Sequence, residues 1–106
     1  MNLPPLLTAF VQAKNSRNTD AVVTCFTNDA LVHDEGKDHQ GLAAIRQWSD
    51  EGFAKFQYTI EPTAIIETGE KSILTATVAG NFPGSPVSLD FHFTIKDGKI
   101  AALLID

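Results

Sequence analysis

Cysteine occurs once in this 106-residue chain, at Cys25, which excludes an internal disulfide framework. It lies in the apolar run Ala21-Val22-Val23-Thr24-Cys25-Phe26. No basic residue stands beside it at helical spacing, so it reads as packing and not as a nucleophile. No apolar run approaches the roughly 18 residues that a membrane-spanning helix needs. The first residues lack the basic stretch and long apolar core of a secretory signal, so a soluble, cytoplasmic protein with no membrane partner is expected. Basic residues are few, 8 Lys and Arg against 13 Asp and Glu, for a net charge of -5. They are scattered from Lys14 and Arg17 to Lys96 and Lys99 without a stripe or aromatic interleaving, which argues against nucleic acid as a partner. A glycine-rich phosphate cradle is missing, because Gly80, Gly84 and Gly98 fall in turns and not ahead of a helix. No serine has the context of a nucleophile elbow. Internal repeats, low-complexity stretches and linkers are absent.

What is present suits a globular fold. The apolar share is 43% and the charged share 20%, and the length fits one domain, residues 1–106. Leu3, Leu6, Leu7, Phe10, Val11 and Lys14 recur at spacings of three and four, which predicts a helix with Pro4 and Pro5 in its first turn. Asn18 is placed to cap a short second helix, with Asp20 in its first turn, Val22, Val23 and Phe26 on its apolar side, and Asn28-Asp29 closing it. Ala30 to Asp34 reads as a short strand ending in a polar loop from Glu35 to Gly41. Leu42, Ile45 and Trp48 mark a third helix ending near Gly52.

From Tyr58 onward the period changes to alternation. Tyr58, Ile60, Ala64 and Ile66 predict a strand in which Pro62 demands an edge position or a bulge. Glu67 to Lys71 is a hairpin turn, Ser72 to Ala79 a strand, and Asn81 to Pro86 a wider turn. Val87, Leu89, Phe91, Phe93 and Ile95 alternate with Ser88, Asp90, His92 and Thr94, the clearest strand in the chain. Lys96-Asp97-Gly98-Lys99 is a tight turn into a last strand, Ile100 to Ile105. Helices first and a meander afterwards predict an α+β layer, with a pocket wherever a bent sheet and its helices leave space.

Asp34 is the candidate catalytic residue. Period two puts it on the face of Val32 and puts His33 on the face of Leu31. With Val32 in the core, Asp34 stands at the mouth of the same cavity. An apolar surround disfavours an ionised carboxylate and strengthens it as a base. Such a group can remove an acidic C–H proton or orient a water. The alternative is a solvated aspartate capping a loop. His33 and His39, with Asp34, Glu35 and Asp38, form a polar cluster whose spacing matches no metal motif, so neither metal nor cofactor is expected. His92 projects from the polar face of its strand. Phe10, Trp48, Phe53, Phe56 and Tyr58, with Phe91 and Phe93 of the sheet, are the candidate ligand-binding set. They suit a small apolar or aromatic molecule as a set, although each alone is more often core than ligand contact.

Four segments carry a family resemblance: Asn18 to Ala30, Val32-His33-Asp34, Gly41 to Trp48, and Lys96-Asp97-Gly98-Lys99-Ile100. In this order and at these distances the chain resembles, over essentially its whole length, the SnoaL-like and ketosteroid-isomerase-like branch of the nuclear-transport-factor-2-like superfamily. The resemblance implies a single SnoaL-like domain: a cone-shaped roll of three N-terminal helices on a curved, mixed but mainly antiparallel sheet, commonly a homodimer. In the isomerase branch an aspartate base removes a proton alpha to a carbonyl, while a tyrosine and a protonated aspartic acid stabilise the enolate oxygen. Asp34 falls at the position of that base. Phe10 falls where the tyrosine would be, so that donor is absent. Asp90 is a candidate for the second donor in an ungapped alignment, but keeping Phe91, Phe93 and Ile95 inward turns Asp90 outward. Without both donors most transition-state stabilisation is lost, and strict steroid isomerisation is not expected.

The leading expectation is therefore the binding of a small apolar molecule in an internal pocket. One alternative is an isomerase- or dehydratase-type enzyme with Asp34 as general base on a carbonyl compound. Another is a non-catalytic dimeric scaffold that pairs through the sheet face of Ser88, Asp90, His92 and Thr94.

Overall fold

The computed structural model describes residues 1–106 as three α-helices and six β-strands. Helix α1 (Pro5–Asn15) starts where Thr8 N–H donates to the Pro4 carbonyl at 3.0 Å, and it buries Leu7, Phe10, Val11 and Lys14 along one stripe. Asn18 caps α2 (Thr19–Thr24) by accepting from Ala21 N–H at 3.1 Å. The sequence predicts this helix running on through Phe26 to Asn28, but it stops at Thr24. Ile100 N–H donates to the Cys25 carbonyl at 2.8 Å, and Lys99 Nζ donates to the Thr24 carbonyl at 2.5 Å. The end of the helix is thus taken up by the last strand of the chain, and Phe26 already belongs to a strand.

That strand, β1 (Phe26–Asp34), turns back through Glu35-Gly36, both at positive φ, onto β2 (Lys37–Gln40). Asp34 pairs with Lys37 across the turn. The sequence places Glu35 to Gly41 in a loop. A two-residue turn of this hand matches strand twist, and Lys37-Asp38-His39-Gln40 is polar throughout, so no alternation announces the strand. Helix α3 (Leu42–Lys55) runs three residues past its predicted end.

The remaining strands are β3 (Tyr58–Thr68), β4 (Lys71–Gly80), β5 (Val87–Lys96) and β6 (Lys99–Ile105). Together they form one sheet of order β2-β1-β6-β5-β4-β3. Only β1 and β6 run parallel; the other neighbours are antiparallel. Pro62 lies on the edge strand beside a register shift between Pro62 and Ala64, as its missing N–H requires. Three helices packed on a curved, mixed sheet make an α+β cone. Leu7, Phe10 and Val22 of the helices meet Val32, Leu74, Phe93 and Leu103 of the sheet in the core. No helix is long and apolar enough to cross a membrane.

Two close approaches tie α1 and β4 to the edge strand. Asn15 donates from Nδ2 to the Ile60 carbonyl at 2.9 Å and accepts the Ile60 N–H on Oδ1 at 2.7 Å. Gly80 pairs with Tyr58, and a side-chain carbon there would fall 2.1 Å from the Gln57 carbonyl oxygen and 2.8 Å from Tyr58 Cα. Gly80→Ala must push two backbones apart. It is expected to cost about 2 kcal/mol, measured as a lower midpoint in urea unfolding.

Candidate functional site

A cleft of about 610 Å³ opens between α3 and the sheet, within the usual range for small-molecule sites. Ile60, Val78, Val87, Leu89, Phe91 and Ile105 make its apolar walls. Exposed Glu35, Lys37, Glu51 and Lys55 line its mouth. Phe56 and Phe82 meet edge to face at 5.9 Å beside Pro83 on the remaining rim. Polar groups are concentrated at Lys14, Asp34, His39, Trp48 and Tyr58.

Asp34 reaches the cleft because β1 alternates: Val32 is fully buried, His33 turns away to Asp38 at 2.5 Å, and Asp34 lines the cavity. Trp48, projecting from α3, donates its Nε1–H to Asp34 Oδ2 at 3.0 Å. The other carboxylate oxygen makes no hydrogen bond within the chain, so it is free to accept a proton or a donor from a ligand. His39 also lines the cleft, its ring 6.2 Å from that of Trp48. His33 and His39 therefore serve different faces of the hairpin.

Of the aromatic set, Trp48, Phe56, Tyr58 and Phe91 line the cleft, while Phe10, Phe53 and Phe93 do not. Phe10 is 0% exposed and packs edge-on against Phe26, Phe91 and Phe93, with ring centroids 6.1, 6.4 and 5.4 Å away. These rings fill the space between α1 and the sheet, so Phe10 and Phe93 are core. Phe53 is 9% exposed and lies behind the cleft, packed between Arg17 and Tyr58. Asp90 is outside the cleft as well; its Oδ1 accepts from Thr75 Oγ1 at 2.7 Å. Asp90, His92 and Asp106 bring ligand atoms within 4.8 Å of one another. These atoms already have partners, since His92 Nε2 pairs with Asp106 Oδ1 at 2.8 Å.

Lys14 is the functional candidate that sequence reasoning missed. It continues the apolar stripe of α1 and is only 4% exposed. Its Nζ lies over the Trp48 ring at 4.3 Å, with Phe53 at 5.0 Å and Tyr58 at 5.5 Å. It makes no ion pair; the three in the chain are His33–Asp38, Arg46–Asp20 and His92–Asp106. Burial lowers the Lys14 pKa to about 8, with the negative charge of Asp34 opposing and the positive charge of Arg17 assisting. Burial also pushes Tyr58 up to about 12, against the pull of Arg17 and with a further push from Asp34. Tyr58 thus stays a neutral O–H donor at any physiological pH. The Cys25 thiol is likewise raised by burial, which keeps it protonated and unreactive.

Residues 7–103 match the SnoaL-like domain family. A proposed polyketide cyclase from Sinorhizobium meliloti has a similar structure, at 42% identity and a TM-score of 0.95 over 98% of this chain and 95% of that one. A Catenulispora acidiphila protein with a ketosteroid-isomerase-like fold, in complex with trimethylamine, superposes with a TM-score of 0.89 at 20% identity, covering 99% and 86% of the two chains. A proposed polyketide cyclase from Pseudomonas putida does so with a TM-score of 0.85 at 18% identity, covering 100% and 91%. At such identities the last two speak for the fold alone. No curated protein matches the chain.

Proposed function

From the premise that the chain belongs to the SnoaL-like family, we propose that its cleft binds an apolar, carbonyl-bearing small molecule and that Asp34 removes a proton alpha to that carbonyl. The observation that carries this reading is the state of Asp34. One carboxylate oxygen is held by Trp48, the other is free, and the group lines a cleft whose sheet wall is apolar. A base so held is aimed by one oxygen while the other stays open to the proton it would take. When the C–H bond breaks, its electron pair moves onto the carbonyl oxygen as an enolate. Tyr58, neutral and lining the same cleft, is the donor available to that oxygen.

The pocket selects by shape and by the few polar groups at one end. Ile60, Val78, Val87, Leu89 and Phe91 favour a fused or linear apolar skeleton, and the Tyr58 hydroxyl orients its carbonyl end. A polyketide-like compound has both features, which agrees with the description of the Sinorhizobium meliloti relative.

The test is deuterium exchange at the alpha carbon of 2-tetralone in deuterated buffer, followed by NMR. The wild-type protein should accelerate exchange. Asp34→Asn should slow it by roughly a hundredfold while the cleft still binds the ketone. Equal exchange rates for the two proteins would remove Asp34 from the chemistry and leave a binding domain.

A further inference from the structure

The amine of Lys14, carried by a side chain only 4% exposed and facing the cleft, is unaccounted for by proton abstraction. A lysine inside an aromatic enclosure costs folding free energy unless it is paired, and this one has neither an ion pair nor a hydrogen bond in the chain. It is also the only amine that reaches the cleft from the interior; Lys37 and Lys55 reach it from the exposed mouth. Three rings hold its Nζ in place from α3 and β3, and Trp48 contacts both Lys14 and Asp34, so amine and carboxylate share one boundary of the cavity.

We propose that Lys14 is a nucleophilic amine that condenses with the carbonyl of the bound ligand to form an imine. This rests on the carbonyl-ligand reading above and deepens it. The lone pair of neutral Nζ attacks the carbonyl carbon and forms a C–N bond. The carbonyl oxygen takes up a proton and Nζ gives one up, yielding a carbinolamine. Loss of that oxygen as water completes a C=N bond, so one carbonyl and one amine give one imine and one water, with no oxidation or reduction. Bulk water at the open mouth of the cleft exchanges those protons. Once protonated, the imine draws electrons from the alpha carbon more strongly than the parent carbonyl, which makes the same C–H easier for Asp34 to remove.

The local electrostatics suit this role. Of the charged groups around Lys14, Arg17 disfavours its protonation and Asp34 favours it, while the charges of Glu35, Lys37, Glu51 and Lys55 stand at the solvated mouth, with His39 beside Trp48. With its pKa near 8, Lys14 is the uncharged nucleophile at pH 7 more than a hundredfold more often than an ordinary surface lysine.

The experiment uses 2-naphthaldehyde, which has no alpha hydrogen and so cannot report on proton abstraction. It is incubated with the protein and sodium cyanoborohydride at pH 7, and the adduct is located by peptide mass mapping. Trp48 fluorescence follows binding, since the chain has a single tryptophan. The expected result is one adduct on Lys14, at least tenfold above any of the other five lysines, retained in Asp34→Asn and absent from Lys14→Met. Quenching of Trp48 without a Lys14 adduct, or an adduct spread over the other lysines, would overturn the imine and leave the binding reading intact. Neither quenching nor adduct would overturn both. Loss of alpha exchange in Asp34→Asn with the Lys14 adduct preserved separates the two roles.

Discussion

Lys14→Met is expected to make the protein more stable at pH 7, by about 2 kcal/mol, while abolishing imine formation. Burial holds the Lys14 pKa near 8 in the folded chain against 10.5 for a free lysine. That difference is worth about 3 kcal/mol. Contact of the ammonium with the three rings returns about 1 kcal/mol, and methionine keeps most of the packing of the methylene stem. In a domain of this length the net gain raises Tm by roughly 10 °C. The pH dependence fixes the cause. Below pH 8 folded and unfolded chains both carry the proton, and the wild type bears the whole cost of a buried charge. Between pH 8 and 10.5 the folded chain has released a proton that the unfolded chain still holds, so wild-type stability climbs. The gap between the two proteins should therefore be widest near pH 7 and close as pH approaches 10.5, as read from Tm by calorimetry across that range. A gap independent of pH would mean that methionine acts through packing alone. A stabilising loss of function is the signature of a group kept for chemistry.

The second large effect concerns Phe10. Phe10→Ala should cost about 4 kcal/mol, because the ring is 0% exposed and packs edge-on against Phe26, Phe91 and Phe93, so its removal leaves a void in the core. Against a total stability of about 5–15 kcal/mol for a domain, such a loss is severe. Guanidinium unfolding at neutral pH measures it. Phe10→Leu keeps most of the volume and should lose only about 1 kcal/mol, with ligand-induced quenching of Trp48 unchanged. Weakened quenching in the leucine variant would return Phe10 to the cleft wall.

These two residues mark where the sequence was legible and where it was not. Alternation from the buried Val32 puts Asp34 on the inner face without any knowledge of the fold, and the same logic sends Asp90 outward and Phe91 inward. A face, however, is not a depth. Phe91 and Phe93 share a face of β5, yet one lines the cleft and the other is sealed beneath α1, which only the placement of the helices decides. Lys14 was visible as a member of the helical stripe with Phe10 and Val11, but a lysine on a helix is ordinarily solvated, and its type outweighed its position. A charged residue on an apolar stripe was the available signal. The hairpin of β1 and β2 escaped because β2 has no apolar alternation, and the end of α2 escaped because a strand from the far end of the chain supplies its cap.

The Asn15 side chain offers Ile60 both an acceptor and a donor, as the backbone of an adjoining strand would. The outermost strand is thereby partly occupied on the side where another molecule's strand could otherwise add itself. Because Asn15 follows Lys14 and Ile60 lies two residues from Tyr58, those paired bonds also yoke the first helix to the sheet margin. Amine and phenol are hence carried by a single rigid unit, and their separation should persist when the cavity fills.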